Sequence, residues 1–223
     1  MSFRLSSRSE LDLAAYRRVA WAGEGVELAP AALQRIEQTR AGFLRLLEDP
    51  EIVIYGVTSG YGQRAHERLT PAQRRAHAAR PPLAPAVSFG RPLPRRAVRG
   101  IVLARLANFV EGHAAVSAPL AQAVAALLDG RDLPAVPEDG NGMAGEITPL
   151  SHLFGPLAEA LPLAEKEGLA LISGSPVAAA LAAESALLGA ARLAMAGEVF
   201  ALSAEALAMP SEHVDPALAE LWG

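Results

Sequence analysis

The apolar positions of the chain recur mostly at helical spacing. Leu33, Ile36, Phe43, Leu44 and Leu47 lie on one side of a helix expected over Val26 to Leu47, and Glu48-Asp49-Pro50 stops it. A short helix opened by Ser9 is expected over 9–20, a longer one over Arg95 to Val116, and another over Pro119 to Leu128, closed by Asp129-Gly130 in C-cap fashion. Pro149 to Leu163 reads as helix with a break at Gly155-Pro156. Pro176 to Met209 reads as one helix of about nine turns at about 3.6 residues per turn. Over Val177 to Ala196 its only charges are Glu184 and Arg192, so it is apolar nearly all round and belongs in the centre of a bundle or between subunits. Ile52-Val53-Ile54-Tyr55 is a short β-like run, and Pro210 to Gly223 reads as a polar loop or cap. The pattern predicts a mainly α chain.

Three small-residue turns interrupt the helices. Asp139-Gly140-Asn141-Gly142-Met143-Ala144-Gly145-Glu146 precedes the helix expected at Pro149; glycines at this spacing allow positive φ and close backbone approach, and the unpaired amides of a helix start can hold an anion. Tyr55-Gly56-Val57-Thr58-Ser59-Gly60-Tyr61-Gly62 carries two phenols and two hydroxyls. Lys166 to Pro176 forms the third turn, ending in Ser173-Gly174-Ser175-Pro176. Each has a purely structural reading beside a functional one.

Composition narrows the classes. At 223 residues and 51% hydrophobic, the chain has material for one large core. The mean hydropathy of +0.22 is high. Membrane insertion needs about 20 continuous apolar residues, and every apolar run here is cut by charge, proline or glycine. Apolar surface buried between subunits is the better explanation, and an oligomer is expected. The absence of cysteine excludes disulfides, thiolate catalysis and thiolate-bound metals. Met1 to Ser6 lacks the layout of a secretory signal, so a cytoplasmic location is expected. A net charge of -4 and few aromatics argue against nucleic-acid binding. Ten arginines between Arg64 and Arg105 face one acid, Glu67; they either draw an anionic substrate or form a solvated face paired with acids elsewhere. The five histidines show no metal-site spacing, and no metal is expected.

With these turns and helices placed, the chain resembles the aromatic amino acid ammonia-lyases, histidine ammonia-lyase in particular. Tyr55 to Gly62 looks like the family's Y-G-[VI]-[NT]-[TS]-G-F-G motif, and the resemblance implies that Tyr55 is the catalytic tyrosine, acting as a base. Arg105 and Gly112 match the ends of the family's R-x-N-x-x-x-x-G helix, with Ala107 in place of its asparagine. Val136-Pro137-Glu138 matches a V-P-x run, and Lys166 to Ile172 is nearly identical to K-E-G-L-A-L-I. The resemblance covers residues 26–216 and implies a truncated ammonia-lyase-like fold, with long central helices forming a multi-subunit helical bundle and active sites shared between chains.

The departures bear on function. The family's G-A-S-G-D-L-A-P-L-x-H loop converts Ala-Ser-Gly into the electrophile methylidene-imidazolone (MIO). Here Pro149, Leu150 and His152 set the register and put Met143-Ala144-Gly145 at that triplet. Ala144 has no hydroxyl to eliminate. Ser173-Gly174-Ser175-Pro176 stands where the family has N-G-T-Q, and the resemblance ends near Asp215-Pro216, shortly before the last residue, Gly223, whereas family members continue and supply the arginine that grips the substrate carboxylate.

The expectation is a single ammonia-lyase-like domain over 1–223, with a loop-rich active-site portion to 150 and a long-helix portion after it. The expected function is that of an enzyme without MIO or any other cofactor, catalysing acid/base elimination-addition, isomerisation or cyclisation of a small unsaturated or aromatic substrate. The catalytic candidates are Tyr55, Glu146 and His152. Glu146 reads as a general base or as a cap of the following helix, and Tyr55 and His152 also have structural readings. Tyr61, His113, Met143, Ala144, Gly145 and Ser173 are the substrate-binding candidates. The alternatives are a non-catalytic binding or scaffold subunit, and one half of a split lyase completed by a partner chain. The expected partners are a small-molecule substrate and further copies in a dimer or tetramer, with no nucleic acid or membrane.

Overall fold

The computed structural model describes residues 2–80, 82–130, 132–142 and 144–222. It is mainly α, and by internal contacts it divides into two compact units, Met1–Ala183 and Glu184–Gly223.

The first unit opens with a small sheet that the apolar pattern does not announce. Strand β1, Ser2–Leu5, pairs in parallel with β2, Gly25–Leu28, and buries Leu5, Val26 and Leu28. The crossover between them is helical. A 3-10 turn at Arg8–Glu10 is closed by a capping box of Ser7 and Glu10. Helix α1, Leu13–Tyr16, follows; Asp12 caps it by accepting from Ala15 N at 2.7 Å, and it continues into a π-turn at Arg17–Trp21. The expected helix opened by Ser9 is therefore two capped pieces.

Helix α2 is Pro30–Leu46, so the expectation that it begins at Val26 is corrected: Val26 and Leu28 alternate inward on a strand, and Pro30 starts the helix as its fixed φ favours. Helix α3, Pro71–Ala78, has a Thr70/Gln73 capping box. Helix α4, Arg95–Phe109, runs through the core with Ile101, Val102, Leu106 and Phe109 enclosed. Gly100 lets the Tyr16 phenol approach α4, because a Cβ there would lie 2.1 Å from the Tyr16 oxygen. Helix α5, Ala118–Ala126, is capped by Ser117.

The later part of the unit pairs β3, Phe89–Pro92, with β4, Pro137–Asp139, in antiparallel fashion. Helix α6, Ile147–Glu159, continues through Pro156, against the expected break; its face of Leu150, Leu153 and Phe154 is fully enclosed, and that packing outweighs the proline's missing donor. Helix α7 is Glu167–Ile172 and helix α8 is Pro176–Ala206. The β-like run 52–55 forms no named strand and folds into a turn.

The second unit holds the end of α8, a 3-10 turn at Ser211–Val214 and helix α9, Pro216–Trp222. Its large apolar side chains, Leu193, Met195, Leu202, Leu207 and Trp222 among them, are exposed, Trp222 to 87%. Among the described residues, Glu167–Ala206 contains one helix long and apolar enough to cross a membrane by length and composition, a test that the core helix of a soluble protein also passes.

The basic segment is only in part the expected solvated face paired with acids elsewhere. Arg99, only 1% exposed, donates through Nε to Val19 O at 2.8 Å, through Nη1 to Leu128 O at 2.8 Å and through Nη2 to Glu24 O at 2.6 Å. Burial and nearby Arg95 lower its pKa. Arg68 donates to the carbonyls of Pro50, Glu51 and Ile52, and Arg74 to that of Leu47. Arg64–Glu67 and Arg91–Glu138 are ion pairs at the surface. Several of these arginines tie loops together through backbone carbonyls, which complete the bonding of the chain ends they hold.

Candidate active site

The tyrosine loop is built by its own backbone and small side chains. Ile54 O accepts from the amides of Val57, Thr58 and Ser59, while Thr58 Oγ1 accepts from Ile54 N at 2.7 Å and donates to Ile52 O. Gly60 N reaches Glu67 O and Leu69 N reaches Thr58 O, so Val57, Thr58 and Ser59 face inward. Gly56 has φ +70, and a Cβ there would meet Leu169 Cδ2 at 2.8 Å; only glycine combines that backbone with that contact. Tyr55 and Tyr61 turn outward, each 55% exposed. The Tyr55 phenol oxygen accepts from Gly62 N at 2.9 Å, and its own O–H remains available to donate. The ring of Tyr61 lies 4.9 Å from that of His77, tilted by 51°. Burial lowers the His77 pKa, Arg80 and Arg64 lower it further, and a hydrogen bond to the Gly56 backbone opposes them.

The second loop is joined to the β3 strand by polar side chains. Ser88 N donates to His152 Nε2 at 3.0 Å, Ser88 Oγ to Asn141 Oδ1 at 2.6 Å, and Asn141 Nδ2 to Pro137 O at 2.9 Å. A histidine that accepts at Nε2 is neutral with its proton on Nδ1, and burial lowers the His152 pKa in the same sense. Gly145 and Glu146 both take positive φ, 71° and 55°, before α6 begins. The Glu146 carboxylate reaches forward to α8, accepting from Val177 N at 2.6 Å and Ala178 N at 2.8 Å. It thus caps α8, where the amides are unpaired and the helix dipole favours an anion. Met143 lies outside the described residues.

A cavity of about 640 Å³ opens beside the third turn. Arg105 and Lys166 line it together with His113, Leu169 and Ser173. Arg105 donates to Ser173 O, and Glu146 supplies the attraction that partly offsets the cost of burying its charge. Leu169 connects the cavity wall to Gly56 of the tyrosine loop. The candidates therefore form three groups: Tyr55 and Tyr61 with His77; His152 with Ser88 and Asn141; and His113 and Ser173 at the cavity, with Glu146 adjoining through α8. Tyr55 and His152 do not line the cavity. Among the described residues, no group of three or more His, Asp or Glu is placed to hold a metal.

From sequence, no site role falls to Ser88, Asn141 or His77, and Arg105 enters only as one of ten arginines in the basic segment and as one end of the R-x-N-like helix. Arg105 was detectable as the basic end of the R-x-N-like helix, whereas Ser88 and Asn141 are 53 residues apart and no local pattern joins them.

The tyrosine loop and the glycine-rich loop before α6 lie in one compact, mainly helical unit. The aromatic amino acid lyase family model matches residues 11–162, and the chain belongs to that family. It is 33% identical over 216 residues to the histidine ammonia-lyase of Deinococcus radiodurans, covering 84% of this chain and 41% of the relative. It is 29% identical to that of Rhodospirillum rubrum, covering 96% of this chain and 46% of the relative. Its fold is similar to histidine ammonia-lyase from Trypanosoma cruzi, with a TM-score of 0.82 at 24% identity over 99% of this chain and 48% of that one. It is also similar to tyrosine aminomutase from Streptomyces globisporus, with a TM-score of 0.71 at 28% identity over 82% and 38%. The chain spans less than half the length of these relatives. MIO formation dehydrates a serine, and the alanine at 144 has no oxygen to lose; the residues present do not fit that group.

Proposed function

We propose that this chain is an MIO-independent enzyme on an ammonia-lyase scaffold, a single lyase-like domain acting in the cytoplasm on a small unsaturated or aromatic substrate. The observation that carries the reading is the combination of an intact tyrosine loop, with the Tyr55 phenol exposed and oriented by Gly62 N, and an alanine at the position from which the family electrophile is made. Without an electrophile, the accessible reactions are those that need proton transfer and positioning: elimination or addition, isomerisation and cyclisation. Tyr55 exchanges the substrate proton. His152, occupied at Nε2 by Ser88, offers Nδ1–H as the second proton group. Glu146 has both oxygens engaged by α8 amides and acts by fixing the turn 173–176. In this reading His113 and Ser173 face substrate from the cavity, and Tyr61 and Gly145 face it from the two loops.

The test pairs two measurements on one preparation: turnover on a panel of small aromatic and unsaturated acids, and intact mass. The reading expects turnover by protein whose mass equals the unmodified sequence. Turnover only by a dehydrated species overturns it.

The reading of the chain as half of a split lyase is favoured by one separate observation: an exposed apolar surface at Leu193, Leu202 and Trp222 in a chain spanning under half of its relatives. Native mass spectrometry after expression alone distinguishes the two. A defined homo-oligomer supports the self-sufficient enzyme, and an aggregate or monomer supports the split form.

A further inference from the structure

Two arginines on the same face-to-core helix are equally enclosed and differently satisfied. Arg99 has carbonyl partners on Nε, Nη1 and Nη2. Arg105 is 3% exposed, yet it makes one hydrogen bond, from Nη2 to Ser173 O, and its enclosed Nε has no partner. Phe109 lies under the guanidinium at 5.7 Å and supplies no acceptor oxygen. The one carboxylate that attracts it, Glu146, already has its two oxygens on Val177 N and Ala178 N. A buried cation with unused donors is costly unless an anion completes it.

The surroundings of Arg105 have the shape and charge to admit that anion. It lines the cavity of about 640 Å³ beside α7 and α8, whose lining includes Arg8 and Lys166 and, among the described residues, no Asp or Glu. Burial and Arg40 lower the pKa of Lys166 in that lining. The rest of the wall is small and apolar, with Ala104, Ala107, Leu169 and Ala179. Gly174, at φ +85, takes a backbone conformation that favours glycine in the turn beside the guanidinium. A planar fork with free donors suits a carboxylate better than a point cation does.

We propose that this cavity is an organic-anion site, in which Arg105 grips the carboxylate of a small molecule whose apolar body lies against Ala104, Ala107 and Leu169. The site is defined by binding alone and stands whether or not Tyr55 is catalytic. Arg105 lines the cavity with one protein acceptor on its fork, and Lys166 and Arg8, also in the lining, add longer-range attraction. A neutral analogue of the same shape gains only the apolar contact.

The experiment is calorimetric titration of the 223-residue chain with phenylacetate, with its neutral amide phenylacetamide, and with inorganic phosphate. The site predicts binding of phenylacetate at least tenfold tighter than phenylacetamide, and weaker binding of phosphate, which has no apolar body. Arg105→Gln is expected to lose at least tenfold in phenylacetate affinity, with far-ultraviolet circular dichroism reporting whether it folds. Asn108→Asp keeps Arg105 and alters an exposed lining position; by placing a negative charge in the cavity it is expected to weaken phenylacetate at least threefold and leave phenylacetamide unchanged. Equal affinity for acid and amide, no binding of phenylacetate at millimolar concentration, or unchanged affinity in Asn108→Asp each overturns the proposal. Tighter binding of phosphate than of phenylacetate also overturns it.

Discussion

The carboxylate of Glu146 accepts from the amide of Val177 at 2.6 Å and from that of Ala178 at 2.8 Å, linking the end of the glycine-rich loop to the start of the longest helix. Glu146 is held at φ 55° to do so, a conformation that costs a non-glycine residue energy and persists because the two amides reward it. The loop and the third turn are thereby one structural piece.

Glu146→Ala removes that cap and leaves two amides without a partner. A loss of about 1–2 kcal/mol is expected, read as a lower midpoint in denaturant unfolding with the slope unchanged. Glu146→Gln retains an acceptor without the charge and is expected to fall between the two. A wild-type midpoint in Glu146→Ala would show that α8 does not depend on the carboxylate.

Arg99 holds three carbonyls from three chain segments, at Val19, Glu24 and Leu128. Arg99→Met leaves them enclosed without donors, and about 3–5 kcal/mol of stability is expected to go, the range for removing one partner of a buried charged network. Chemical denaturation measures it. A loss under about 1 kcal/mol would show that water replaces the guanidinium.

Acid sensitivity follows from His152 and His77, both with pKa values lowered from the ordinary 6.5, chiefly by burial. Above pH 6.5 each is neutral in the folded and unfolded chain, and its contribution is complete. As pH falls through 6.5 the unfolded chain takes up the proton first, so stability drops until the folded value is reached. The protonated His152 also loses its acceptor for Ser88 N. Unfolding curves at pH 7.5 and 5.5 are expected to show lower stability at 5.5, with the difference reduced in His152→Gln and reduced further in His152→Gln/His77→Gln. An unchanged pH difference in both variants would contradict the assignment.

How much was readable beforehand varied with the range of the interaction. The helices α5 and α8 followed from local periodicity and end signals, while α4 begins at the expected Arg95 but stops at Phe109, short of the expected Val116, before the positive-φ residues Gly112 and Ala115. The β1–β2 pair was hidden because Gly25–Leu28 is four residues long and Ser2–Leu5 pairs with it across a crossover. Pro156 misled, because the enclosed face of Leu150, Leu153 and Phe154 decides the helix where a single proline argues against it. Family motifs located the two loops, and the Met143-Ala144-Gly145 substitution was visible in the chain itself. The Arg105–Ser173 contact and the His152–Ser88–Asn141 chain join residues far apart in sequence and needed the fold.

The exposed apolar residues of the second unit predict association. Wild-type protein at micromolar concentration is expected as a dimer or tetramer by light scattering, and Leu193→Glu/Leu202→Glu, which charges two positions 76% and 71% exposed, is expected to shift it to smaller species. A wild-type monomer would contradict this.

The account rests most directly on Tyr55 as the proton-transfer group. Once the turned-over substrate is identified, steady-state kinetics of Tyr55→Phe against wild type is the decisive measurement. The account predicts a fall in kcat of about 100-fold or more, the range for losing a positioned acid or base, with KM within a few fold because the ring stays. An unchanged kcat in Tyr55→Phe would contradict it.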